Sequence, residues 1–156
     1  GTGDRTLEAR FRSIQEQYPE QIGLSLQFDE TRAHRIVAGA DILAMPSRYE
    51  PCGLTQLYSL RYGTIPIVRK TGGLADTVVP YRPSTALAQI ATGFHFTEAS
   101  AEALLSTMLL ALKVYADRGA WRTLQQAGMA VDNSWGYSAK QYVGVYETLQ
   151  VSRGAY

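Results

Sequence analysis

In the stretch SRYEPCGLTQLY, residues 47–58, a lone carboxylate, Glu50, precedes a proline, the chain's one cysteine and a glycine, and a helical pattern begins at about Leu54. The first N–H groups of a helix have no partner inside it, and its dipole leaves that end partly positive, so a tip near Leu54 is a seat for phosphate. Gly53 has no side chain to obstruct a close approach, and the Thr55 hydroxyl adds a donor. The same residues suit a plain turn and helix cap, and no walled phosphate motif of the GxxxxGK[ST] kind is present. Local sequence leaves both readings open. A carboxylate at position 50 opposes phosphate but accepts hydrogen bonds from sugar hydroxyls, or stabilises positive charge developing at an anomeric carbon. It suits a sugar better than a phosphate, the bland alternative being an exposed loop glutamate.

A second loop, RKTGGLADT at 69–77, offers related chemistry. Gly72 and Gly73 let backbone amides face an anion and so form a candidate phosphate loop, with Arg69 and Lys70 adding positive charge; a tight turn is the simpler use of a glycine pair. Arg48 suits a loop anchor as well as a ligand contact. Cys52 reads as a small buried space-filler, because no neighbouring His lowers its pKa for nucleophilic work. His34 and His95 fall in a helix and a strand, far from any partner at metal-ligand spacing, so structural roles suit both and no metal site is predicted. Tyr58, Tyr62 and Trp121 sit at helical positions and read as core.

The elements that must carry these loops follow from periodicity. Leu7, Phe11, Ile14 and Tyr18 recur at helical spacing until Pro19. Ile22, Leu24, Leu26 and Phe28 alternate with smaller or polar residues, which predicts a strand over 22–28. A short helix follows from Asp29 through Ala38, closing near Gly39. The runs DILAMP, 41–46, and IPIV, 65–68, are apolar throughout, as strands buried on both faces of a parallel sheet are. A helix from about Leu54 to Tyr62 lies between them, closed by Gly63. GFHF, 93–96, is a further strand, and helices follow from Ser100, over Trp121–Ala130 and over Ser138–Leu149, the last with Tyr142, Val145, Tyr146 and Leu149 on one side. Alternating strands and helices imply right-handed crossovers and an α/β, Rossmann-like doubly wound parallel sheet. Ligands of such sheets sit beyond the carboxyl ends of the strands, where both loops lie.

The 156 residues suffice for one domain with a real core. Fifteen Lys plus Arg against fourteen Asp plus Glu give a net charge of +1 without a long single-sign run, which argues against nucleic-acid or anionic-membrane partners. No apolar run reaches the length of a membrane span and no signal segment opens the chain. One cysteine fits a reducing compartment. The chain opens Gly1-Thr2-Gly3-Asp4 without Met, as a piece of something longer would.

Taken together, SRYEPCGLTQLYSLRYGTIPIVRKTGGLADTV resembles the C-terminal catalytic signature of bacterial glycogen synthases and plant starch synthases that use ADP-glucose. The match is strongest from about His34 to Val79, and a weaker similarity runs from Gly1 through DNSW, 132–135, to the last helix. The resemblance implies that 1–156 is a partial C-terminal nucleotide-sugar-binding domain, the incomplete C-terminal half of a GT-B fold. It implies that Glu50 binds the donor glucose and supports the transition state, and that Cys52, Gly53 and Leu54 lie along glucose and phosphate. Thr55 becomes a phosphate contact, and Phe28 an aromatic ring stacked on adenine where relatives commonly have Tyr. The second Glu that the wider class places eight positions after the first is Tyr58 here, as is usual for starch and glycogen synthases.

The implied reaction transfers glucose from ADP-glucose to the non-reducing end of an α-1,4-glucan with retention, without metal or cofactor. A retaining glycosidase needs two carboxylates about 5 Å apart, whereas in this family the leaving phosphate is thought to take the acceptor proton. Partners are then ADP-glucose, the glucan and the family's N-terminal domain, in a bacterial cytoplasm or a plastid. Because that domain and the first strands of the C-terminal domain have no counterpart in these residues, the chain alone is expected to release no ADP from ADP-glucose with glycogen. Two further readings are a nucleotide- or glucan-binding module without chemistry, and a transferase using another nucleotide sugar.

Overall fold

The computed structural model describes the chain from residue 3 to residue 153. The chain divides into two compact units, Gly1–Ile36 and Val37–Tyr156.

The first unit is built on α1 (Arg5–Gln17), whose N-terminus is capped by Asp4; its carboxylate accepts from the Thr6 and Leu7 amides at 2.8 and 3.0 Å. Of the apolar row, Leu7, Phe11 and Ile14 are helical, as their spacing predicts, and Tyr18 is the C-cap; all four are exposed. The predicted strand over 22–28 does not form. Ile22, Leu24 and Leu26 are half-buried and Phe28 is exposed, so the alternation sets which side chains turn inward. It supplies no second strand to pair with, and a strand without a ladder leaves its backbone groups unsatisfied. Asp29 then caps α2 (Glu30–Gly39), accepting from the Arg32 amide at 2.8 Å.

The second unit holds the sheet. Strands β1 (Ile42–Met45), β2 (Ile65–Arg69) and β3 (Phe94–Phe96) lie in the order β1-β2-β3, all parallel, with Ile42 opposite Ile65 and Ile67 opposite Phe94. The three apolar runs read from the sequence are therefore contiguous. Period-two geometry sends Ile65 and Ile67 to one face and Val68 to the other. The first face is covered by α6 (Ala101–Ala116) and α7 (Arg118–Ala130) through Ala111, Val114, Trp121 and Leu124; the second packs Val68 with Leu74 and Val78. Trp121 stacks 6.5 Å from Phe94 and meets Tyr115 edge-on at 5.0 Å, so its reading as core holds.

Between β1 and β2 runs α3 (Thr55–Tyr62), closed by Gly63 at φ 78°. The 69–77 loop contains a short helix, α4 (Gly72–Thr77), and a further turn of helix, α5 (Pro83–Leu87), begins at a proline. The last helix, α8 (Trp135–Arg153), starts three residues before the predicted Ser138; Tyr142, Val145, Tyr146 and Leu149 are all exposed. Among the described residues no helix is long and apolar enough to cross a membrane.

Candidate functional site

The carboxyl ends of β1 and β2 carry the two loops singled out above, and the structure brings them together. The segment from Pro46 to Leu54 leaves β1 and enters α3; the segment from Lys70 leaves β2 and enters α4. Their backbones touch at two glycines. The Gly73 amide donates to the Glu50 carbonyl at 3.0 Å. A methyl group on Gly72 would strike that same carbonyl oxygen, and one on Gly73 would strike the carbonyl of Cys52. The glycine pair therefore has a first duty that the sequence did not suggest, which is to let the second loop lie against the first.

Arg69 braces the first loop from below: its Nε donates to the Ser47 carbonyl at 2.7 Å. The loop anchor is thus Arg69 and not Arg48, which is exposed. Glu50 is half-buried, and its Oε2 accepts a long hydrogen bond of 3.5 Å from the Ser47 hydroxyl. Cys52 is exposed, which corrects its reading as a buried space-filler. Gly53 takes φ 73°, a left-handed conformation that favours glycine, and a Cβ there would stand 2.5 Å from Oε1 of Gln56. Its inner side is filled by an amide, which accounts for glycine there as directly as ligand approach does.

The tip of α3 is open. Its N-cap is Leu54, which offers no side-chain hydrogen bond to the helix, and Leu54 and Thr55 are both exposed. The Tyr58 amide is bonded to the Leu54 carbonyl. Thr55 is thus the first helical residue and not the cap, with its side chain on the accessible surface. The dipole of α3 ends beside the Glu50 loop.

The inward face of α3 is unlike the one its pattern suggests. Gln56, Ser59 and Leu60 are buried, whereas Tyr58 and Tyr62, expected in the core, are exposed. Gln56 is the functional neighbour that no motif marks: its Nε2 lies 3.0 Å from both the Cys52 and Gly53 carbonyls and 3.2 Å from the Thr77 hydroxyl. A cleft of about 590 Å3 opens on the outer side, from Leu54 along Tyr58 and Arg61 to Met129 and Asp132. Of the candidate site residues, Leu54 lines it.

Phe28 lies in the first compact unit, 86% exposed. His34 is in α2 and His95 in β3, as expected. Burial pushes the His95 imidazole below its ordinary value, Lys70 and Arg82 add to this, and the Val78 backbone opposes it without a hydrogen bond of ordinary length to either ring nitrogen. Among the described residues no three His, Cys, Asp or Glu gather as metal ligands would.

Residues 1–123 match the family model for glycosyl transferases group 1. A glycogen synthase of Thioalkalivibrio sulfidiphilus is 54% identical over 96% of the chain, and one of Koribacter versatilis is 50% identical over 98%. In both cases the chain spans 31% of the relative's length. Among solved structures, the catalytic domain of starch synthase IV from Arabidopsis thaliana, bound to ADP and acarbose, superposes with a TM-score of 0.80 at 37% identity, over 93% of this chain and 30% of that one. A sucrose-phosphate synthase of Thermosynechococcus elongatus shares the fold, with a TM-score of 0.65 at 24% identity over 97% of this chain and 38% of that one. These matches establish the α/β sheet as part of a GT-B catalytic domain.

Proposed function

The chain belongs to the group 1 glycosyl transferases, and from that premise we propose that it is the donor-binding part of a retaining glucan synthase. Its donor is ADP-glucose, and the glucosyl unit goes to the 4-hydroxyl at the non-reducing end of an α-1,4-glucan. The observation that supports this reading is the meeting of two strand-end loops, the Gly73 amide donating to the Glu50 carbonyl four residues before the exposed Leu54 that opens α3.

The division of labour follows from charge. Amides at the tip of α3 and the Thr55 hydroxyl take the diphosphate, which a helix N-terminus favours. Glu50 would repel that diphosphate at close range, so its use is one step along the donor, where it accepts hydrogen bonds from glucose hydroxyls and stabilises positive charge growing at the anomeric carbon. Cys52, Gly53 and Leu54 run between the two ends, with the Gly72–Gly73 turn as a further phosphate contact. The departing phosphate takes the proton of the attacking hydroxyl on the face it leaves, so one carboxylate suffices and the reading invokes no metal or cofactor. The ADP and acarbose in the starch synthase neighbour support a nucleotide and a glucan as partners. The bacterial relatives support a cytoplasmic setting. Residues 1–156 then act as the nucleotide-sugar-binding portion of a GT-B C-terminal domain.

Calorimetric titration of the chain with ADP-glucose and with UDP-glucose tests this. ADP-glucose binds, UDP-glucose binds at least about tenfold more weakly, and Thr55→Ala weakens ADP binding by about 1 kcal/mol. Equal affinity for the two donors overturns the donor assignment, and a folded chain that binds neither overturns the reading.

A further inference from the structure

Gln56, the second residue of α3, has no exposed surface, yet its amide reaches two loops. Its two N–H groups serve three oxygens: the carbonyls of Cys52 and Gly53, each 3.0 Å away, and the Thr77 hydroxyl at 3.2 Å. Thr77 passes its own hydrogen to the Gly73 carbonyl at 2.6 Å, and the Gly73 amide donates to the Glu50 carbonyl at 3.0 Å. Glu50 stands two residues before Cys52, so the path Gln56, Thr77, Gly73, Glu50 returns to the loop it left and closes a ring. Oε1 of Gln56 is buried without a partner, a cost that a Leu or Met of similar size would not carry. The donor end of the amide is what this position uses. Flipping the amide would set Oε1 against two carbonyl oxygens, so its orientation is fixed by its partners.

We propose that Gln56 is the positioning residue of the Glu50–Leu54 loop, acting with Thr77 to lock that loop to α4. A planar trans peptide points its C=O and the next N–H in opposite directions. By drawing the Cys52 and Gly53 carbonyls toward the buried amide, Gln56 turns the N–H groups of Gly53 and Leu54 the other way. Through Thr77 and Gly73 it also fixes the backbone of Glu50. The bearing of this ring on donor binding rests on the function proposed above; the ring itself does not.

Amide hydrogen exchange and 1H–15N resonances of the full chain, with ADP-glucose as the added probe, test it. Thr77→Val keeps the shape and removes the shared hydroxyl; exchange at the Gly73 amide rises about tenfold and ADP-glucose binds more weakly, while Thr77→Ser restores both. Gln56→Glu separates positioning from packing. Its ionised carboxylate repels the Cys52 and Gly53 carbonyls, whereas its protonated form donates one hydrogen, so the Gly53 and Leu54 resonances return toward their wild-type positions as pH falls; in Gln56→Leu they do not. If Thr77→Val and Gln56→Leu leave exchange at Gly73 and the Gly53 and Leu54 resonances unchanged, the proposal is overturned, whatever binds. If the ring responds as described while the wild-type chain ignores ADP-glucose, the donor reading falls and the ring stands.

Discussion

A methyl group added at Gly73 would meet backbone, the Cys52 carbonyl, whereas one added at Gly53 would meet the end of a side chain, the Gln56 amide. Backbone cannot step aside as a side chain can, so the two substitutions differ in cost. Gly73→Ala lowers stability by more than about 2 kcal/mol, and Gly53→Ala by about 1–2 kcal/mol, mainly for its left-handed φ of 73°. Urea denaturation of both variants checks the order, and a reversed order contradicts the packing described. Glu50→Gln keeps the size of the side chain and removes its charge. ADP-glucose then loses about tenfold in affinity through its sugar hydroxyls, while ADP, no longer facing a carboxylate, binds as well or better. Titrating both ligands separates that pattern from a general loss of fold. At this scale Glu50, Gly53 and Thr55 were legible as candidates, by residue type at the entrance to a helix. What was not legible was which of them are held by neighbours. Gly53 is accounted for by Gln56, three residues on, and Gly72–Gly73 by the carbonyls of Glu50 and Cys52, these last being contacts that bridge about twenty residues of chain.

IPIV and GFHF were legible as strands and formed, whereas alternation alone did not suffice. Alternation over 22–28 gives half-buried Ile22, Leu24 and Leu26 but no ladder partner. For α3 the length and the closing Gly63 follow from the pattern, yet its inward face is inverted: Gln56 and Ser59 go in and Tyr58 stays out. The polar inward face serves the loops, which is why a hydrophobic period misplaces it. The small helix α5 did leave a signal, Pro83 at its start and Thr85, whose hydroxyl accepts from the Arg82 amide at 2.9 Å. In β3, His95 gives a pH dependence. Its folded pKa is lowered from 6.5, mainly by burial, so the unfolded chain takes up a proton first as pH falls. The stability it allows is complete above about pH 7, declines as pH drops through about 6.5, and levels once the folded imidazole is protonated. Urea midpoints for wild type and His95→Gln between about pH 7 and 5 check this: the wild type loses more over that interval, and equal losses contradict it.

As a whole molecule, the chain couples an ordinary charge balance, +1 overall, to one chemically distinctive region at the ends of two parallel strands. The doubly wound architecture was legible because its strands alternate with helices in sequence; the contiguous order β1-β2-β3 follows from short crossovers. Division into two units was not, since no composition shift marks residue 36. The chain spans 31% of the length of its glycogen synthase relatives, so what it contributes is best tested at the level of donor binding. The most direct measurement follows the backbone amides by 1H–15N spectroscopy as ADP-glucose is added to the full chain. The account predicts saturable shifts at Gly53, Leu54 and Thr55, with smaller ones at Gly72 and Gly73. Saturable shifts confined to another surface, with these amides unmoved, would contradict it.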